Sequence, residues 1–203
     1  MMSLVIATAE TDTRTRILQT AERLFREIGY QKTTVADIAK ILKMSPANIY
    51  RFFDSKKAIH EGVANLLMGE VEAAVAITAS EPSSPQERLR KMLAAIHHMN
   101  AERYVGDAKL HEMVAYAMEE NWESCEAHIH RLGLAVAKVI AEGVEAGQFR
   151  AGDIEVTAKC LCMAMCRFFD PQKIAEYADK PDPTPTLDQM IDFVVGAIST
   201  GKP

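Results

Sequence analysis

Apolar side chains recur every three to four positions along most of the chain, and no stretch alternates apolar with polar as a half-buried strand does. That period belongs to amphipathic helices. Ile17, Leu18, Ala21, Leu24, Phe25 and Ile28 form the apolar face of a first helix, capped at Thr11 or Asp12 and stopped by Gly29. Val35, Ile38, Ala39 and Leu42 follow at i, i+3, i+4 and i+7, behind a Thr34–Asp37 pair with capping-box spacing. Ser45 and Pro46 suit the N-cap and first position of a third, short helix running to about Phe53. Asp54 or Ser55 caps a fourth over Lys57–Ile77, which ends in the Ser80–Pro85 loop. Further helices are predicted over Gln86–Tyr104, Ala108–Glu120, Trp122–Ala146, Asp153–Phe169 and Leu187–Ser199. Gly147, Gly152, Pro171, Pro181, Pro183 and Pro185 punctuate the junctions. The fold class is all-α, with about nine helices.

Composition narrows the class. With 203 residues, 48% of them hydrophobic, the chain is long enough to bury a core and too apolar to be disordered. No apolar run stands out as a membrane span, and the start lacks the basic and apolar regions of a secretory signal. Residues 1–10 read as a flexible tail on a cytoplasmic protein. Three of the four cysteines crowd into Cys160–Cys166, a poor framework for extracellular disulfides. Net charge is −5, but it is unevenly spread: residues 1–57 carry +4 and the remaining 146 carry −9. A basic head on an acidic body is the footprint of a DNA reader attached to something else.

The segment from Thr34 to Lys57 sharpens that reading. Two helices across a turn of three or four residues form the helix-turn-helix pattern. Ser45, Ala47 and Asn48 place short polar groups near the start of the second helix, where base edges would lie, and Asn can pair with adenine N6 and N7. Tyr50, Arg51, Lys56 and Lys57 are placed for phosphates. Ile49 and Phe53 face inward.

Gly29-Tyr30, Thr33 to Ala39 and Ser45 to Lys56 closely resemble the N-terminal domain of the tetracycline-repressor (TetR) family of bacterial transcription regulators, without gaps over about residues 12–60. The resemblance implies a homodimer whose first three helices, in residues 11–57, read double-stranded operator DNA. Residues 58–203 would then bind a small-molecule effector and dimerise. Carried over by position, Thr34, Ser45, Ala47, Asn48, Tyr50 and Lys56 become DNA contacts, with Arg51 beside them. Phe52 replaces a frequent His. Lys43 occupies the turn position where the family usually places Gly, so a positive φ there would strain it while its charge faces DNA.

No motif in residues 58–203 calls for catalysis, a cofactor or a metal, and the pairs His97-His98 and His128–His130 lack helical ligand spacing. Apolar, Met-rich helices there suggest an adaptable cavity for an apolar or amphipathic molecule. The candidate lining is Leu67, Ile96, His97, Asn100, Tyr104, Met113, Ala117, Trp122, Cys125 and Ile129. The helices at Asp153–Phe169 and Leu187–Ser199 are the candidate dimer surface, pairing with their mates as a four-helix bundle. Two other readings stay open. Cys160, Cys162 and Cys166 could sense oxidants or electrophiles, although packing is the simpler role for them. The chain could also be a helical small-molecule binder without operator activity. An enzyme ranks last.

Overall fold

The computed structural model describes residues 2–105, 109, 113, 116, 123–178, 180 and 185–201. Ten helices occur among them: α1 (Met2–Ile28), α2 (Val35–Leu42), α3 (Pro46–Tyr50), α4 (Lys56–Ala79), α5 (Pro85–Tyr104), α6 (Glu123–Glu145), α7 (Ile154–Ala164), α8 (Cys166–Phe169), α9 (Pro171–Ala178) and α10 (Leu187–Ile198). Among the described residues the only extended pairing is an isolated antiparallel bridge between Phe149 and Ser199. The chain is all-α. Its contacts divide it into two units: Met1–Leu67 with Asp107–Asn121, and Met68–Gly106 with Trp122–Pro203.

The first unit is built around α1. That helix runs from Met2, through the stretch read as a tail and past the caps expected at Thr11 or Asp12. No Pro or Gly lies before Gly29 to interrupt it. Gly29 ends it at φ 93°, a conformation that costs a glycine little. Ile17, Ala21, Leu24 and Phe25 of α1 are buried, as are Ile38, Ile49, Phe53, Ile59 and Val63 of the same unit. Where α4 meets α1, a Cβ on Gly62 would sit 2.6 Å from Leu18 Cδ2, so glycine permits the close approach. Of the helix predicted over Ala108–Glu120, Lys109, Met113 and Tyr116 are described, and all three are helical.

The second unit holds a continuous core. Val71 and Val75 from α4 meet Leu89, Met92 and Ile96 from α5, Val136 and Ile140 from α6, Leu161 from α7 and Val194 from α10. Arg88, itself buried, donates to the Ala79 carbonyl at 2.6 Å and pairs with Glu142 at 2.6 Å. Glu72 of α4 accepts two bonds from Arg131 of α6 at 2.7 and 2.9 Å and lies 2.7 Å from His128 Nδ1 of the same helix.

Three features depart from the predicted elements. The single helix expected over Asp153–Phe169 breaks at Met165, whose ψ of 2° tightens the turn between α7 and α8. Pro171, read as punctuation, instead opens α9: Asp170 Oδ1 accepts from the backbone N–H of Gln172 (2.8 Å) and Lys173 (3.3 Å), an N-cap followed by Pro at N1. Lastly, α4 is long and apolar enough, by length and composition alone, to cross a membrane. Part of that apolar content is packed, since Ile59, Val63 and Leu67 are buried in the first unit and Val71, Val75 and Ala79 in the second.

Candidate nucleic-acid interface and effector cavity

Local hydrogen bonds set the geometry of the α2–α3 pair. Thr34 caps α2 reciprocally: its Oγ1 accepts from the Asp37 N–H at 3.2 Å, while Asp37 Oδ2 accepts from the Thr34 N–H at 2.9 Å. The Thr34 hydroxyl, which donates to Asp37 Oδ2 at 2.6 Å, and then the Thr34 N–H hold the Asp37 carboxyl below its usual range. At the other end, Lys43 adopts φ 55°, ψ 40°, the only positive φ among described non-glycine residues. The Met44 N–H then reaches back to the Ala39 carbonyl (2.8 Å) and the Lys43 N–H to Lys40 (3.2 Å), a Schellman closure that satisfies two carbonyls of α2. The chain re-enters a helix at Ser45, whose Oγ accepts from the Asn48 N–H at 3.2 Å. Pro46 takes the first position.

This sequence of caps leaves a short α3 with one buried anchor, Ile49, and an outer edge of exposed Ser45, Ala47 and Tyr50 with half-buried Asn48. Lys43 and Arg51 are exposed at either end of it, as is Thr34 on α2. Lys56 is placed differently from its neighbours. Its ammonium donates to the Gln31 carbonyl at 3.2 Å and lies 4.4 Å from the Tyr30 ring centre, and burial pushes its pKa down. It anchors the loop after α1 as well as contributing charge.

Two residues with structural roles here were not read from the sequence. Arg14 of α1 donates to the Phe52 carbonyl at 2.6 Å and stacks 4.1 Å from the Phe53 ring centre, so it fixes the end of the α3 segment. His60 is fully buried: it stacks on Tyr30 (4.2 Å, 25°), meets Phe25 edge-on, and its Nε2–H donates to the Met113 carbonyl at 3.1 Å. Burial pushes its pKa down to about 4, keeping it neutral. Tyr116 completes the aromatic group, 5.3 Å from Tyr30. The His60 signal was present in the sequence, because a His one turn before Ala64 and two before Leu67 shares an apolar stripe. Arg14 gave none, because its partner is 38 residues away.

The proposed pocket residues fall in both units. Leu67 and Met113 are buried in the first unit and Ile96 in the core of the second. His97 Nδ1–H donates to the Phe168 carbonyl at 2.9 Å and Asn100 to that of Phe169 at 2.8 Å, so both cap the end of α8. Tyr104 is buried, Cys125 half-buried and Ile129 65% exposed. Ala117 and Trp122 lie outside the described residues. A cavity of about 270 Å³ does open within the second unit, between α5, α8, α9 and the start of α10. His97 lines it; the other described candidates do not.

Cys160 and Cys166 are exposed, whereas Cys162 packs on the core with its thiol pushed up to about 11 by burial. That shift opposes thiolate reactivity. No group of three or more metal-ligating side chains occurs among the described residues.

Comparison with known proteins covers both units. Residues 17–63 match the bacterial regulatory proteins of the tetR family, and residues 85–188 match the tetracyclin repressor-like C-terminal domain. The chain is 28% identical over 177 residues to the HTH-type transcriptional regulator YhgD of Bacillus subtilis, covering 83% of this chain and 89% of that one. It is 27% identical over 127 residues to IcaR of Staphylococcus aureus, the HTH-type negative transcriptional regulator of the biofilm operon icaADBC, covering 63% and 67%. A solved TetR/AcrR-family regulator from Thermobifida fusca superposes with a TM-score of 0.60 at 24% identity, covering 95% of this chain and 99% of that one.

Proposed function

Because the chain belongs to the TetR family of ligand-responsive, DNA-binding transcriptional regulators, we propose that it is a dimeric repressor released from its operator by a small apolar or amphipathic effector. Repression is the role carried by the name of IcaR, the negative regulator. The observation that supports DNA reading most is the cap-defined α3, which buries Ile49 and turns Ser45, Ala47, Asn48 and Tyr50 outward. In this reading Asn48 reads a base edge. Tyr50 and Arg51 reach phosphates, as does Ser45, whose hydroxyl proton can donate while its oxygen accepts from Asn48; Thr34, whose hydroxyl donates to Asp37 at 2.6 Å, turns that proton to a phosphate when DNA binds. Ala47 offers a methyl-sized contact. Lys43 and Lys56 add charge at the edges of the surface.

Two copies are needed to span two half-sites. The face for pairing is α7 with α10, where Val156 (53%), Met163 (76%) and Phe193 (70%) lie exposed in one chain. Residues 11–57 then act as the reading domain and 58–203 as the sensing and dimerising domain, in the cytoplasm where the operator is. The His60–Met113 and Tyr30–Tyr116 contacts join Met113 and Tyr116 to the head, giving effector binding a route to α1 and α4.

A gel-shift titration with the duplex upstream of the chain's own coding region tests this. A specific shift that weakens steeply with salt is expected. Equal retardation of an unrelated duplex at every salt concentration would count against a repressor.

A further inference from the structure

The side chains that α3 turns outward belong to a narrow chemical class. α3 itself carries no charge; Ser45, Pro46, Ala47 and Tyr50 are exposed and Asn48 is half-buried. In the major groove each base asks for a different partner: guanine for Arg or Lys, cytosine for a carboxylate, adenine for Asn or Gln, and the thymine methyl for an apolar surface. Between Lys43 and Arg51 there is no Arg, Lys, Asp, Glu or Gln. Asn48 is the adenine reader of this edge, and Pro46 and Ala47 present a ring and a methyl beside it. Ser45 suits several bases and adds no choice among them. Recognition helices meet base edges with their N-terminal residues, so Arg51, at the C-cap, falls outside the base-reading turn.

We propose that α3 reads A·T pairs: in each half-site Asn48 holds an adenine through N6 and N7, and Pro46 with Ala47 packs on the methyl of a thymine in the same pair or the next. The Asn48 backbone N–H is taken by Ser45 Oγ at 3.2 Å, whereas no hydrogen bond within the described residues uses its side-chain amide. That amide therefore keeps both a donor and an acceptor for a base. Ala47 and Asn48 are consecutive, with Cα atoms about 3.8 Å apart, close to the roughly 3.4 Å between stacked pairs. One residue thus serves one pair and its neighbour the same pair or the adjoining one. This inference rests on the reading of α3 as the DNA-reading helix and specifies the bases it takes.

Selection of bound duplexes from a random pool, with the full-length protein and with Asn48→Ala, locates the contact as the position whose base preference the variant relaxes. That position should be A·T in the sites chosen by the unaltered protein. Affinity is then measured on the selected duplex with modified bases placed in both half-sites. 7-Deazaadenine, which lacks the N7 acceptor, should weaken the unaltered protein by about tenfold or more and Asn48→Ala by less than about twofold. Deoxyuridine, which lacks the methyl, should weaken both proteins by about fourfold per half-site at that pair or the next, the effect of one methyl returned to water. A G·C pair at the Asn48-dependent position overturns the proposal. So does an A·T preference that either modified base leaves unchanged, since such a preference comes from duplex shape. If Asn48→Ala fails to fold, scanning both modified bases along the selected half-site with the unaltered protein decides: losses at one pair or two adjoining pairs uphold the proposal, and no loss anywhere overturns it. A pool from which no sequence is selected removes the regulator reading and this inference with it, whereas a selected site with G·C under α3 removes this inference alone.

Discussion

Lys43 is the residue where the fold and the DNA surface make opposite demands. At φ 55° its side chain costs about 1–2 kcal/mol relative to a right-handed conformation, and glycine would remove that cost. Part of the gain is returned through the more flexible unfolded chain, so Lys43→Gly should stabilise the head by at most about 1 kcal/mol in urea titration. The same variant should weaken operator binding mainly at low salt and reduce the salt slope by about one. A slope equal to that of the unaltered protein contradicts a phosphate-facing Lys43.

His60 makes a second prediction at this scale. Its pKa is lowered to about 4 in the fold, chiefly by burial, with Lys56 and Lys57 pushing the same way. The unfolded chain therefore takes up a proton as pH falls through about 6.5, and the folded head does so only near 4. Stability is complete above that upper value and declines between the two, by up to about 3 kcal/mol. His97 and His128 are lowered by burial too and add to the trend. Thermal melts at about pH 7.5 and 5 should show a smaller drop for His60→Phe than for the parent, and equal drops would remove His60 from the account. Caps such as Thr34 and Ser45 were readable because their partners lie three residues away. Arg14 and the carbonyl partner of His60 were not, because only tertiary packing brings them together.

Among the elements, α6 is most sharply constrained at Gly143. A Cβ there would lie 2.0 Å from Phe149 Cδ2 on a ring that is itself buried, so the ring cannot yield by a simple rotamer change. Gly143→Ala should cost about 1–3 kcal/mol in denaturant titration, as overpacking does. A neutral result would mean that the α6–Phe149 turn is looser than described. The helical period located most elements because each has one buried stripe. It did not locate the break at Met165, which no local residue signals; His97 and Asn100 hold the end of the short α8 that follows it, from partners 71 and 69 residues apart in sequence. It also passed over α9, although the Asp170-Pro171 pair carries the chemistry of a helix start. The cavity at the end of α8 was not legible for a related reason: stripes identify which helices pack, but Arg167 reaches the cavity wall only because α8 turns there.

At the scale of the whole molecule, α7 and α10 leave Val156, Met163 and Phe193 exposed in one chain, the face proposed for pairing. Phe193→Asp should convert the dimer to a monomer in sedimentation velocity and lower operator affinity by at least about a hundredfold, since one head with a charge of +4 binds DNA weakly. A dimer that persists in this variant would place the interface elsewhere.

The central claim is that the edge of α3 reads sequence. Fluorescence anisotropy of labelled operator and scrambled duplexes, with the parent protein and Asn48→Ala, addresses it most directly. Loss of one paired base contact should lower operator affinity by about 1–3 kcal/mol per half-site, leave binding to the scrambled duplex nearly unchanged, and leave the thermal melt within a few degrees. Unaltered discrimination between the two duplexes in Asn48→Ala would contradict base reading by this helix.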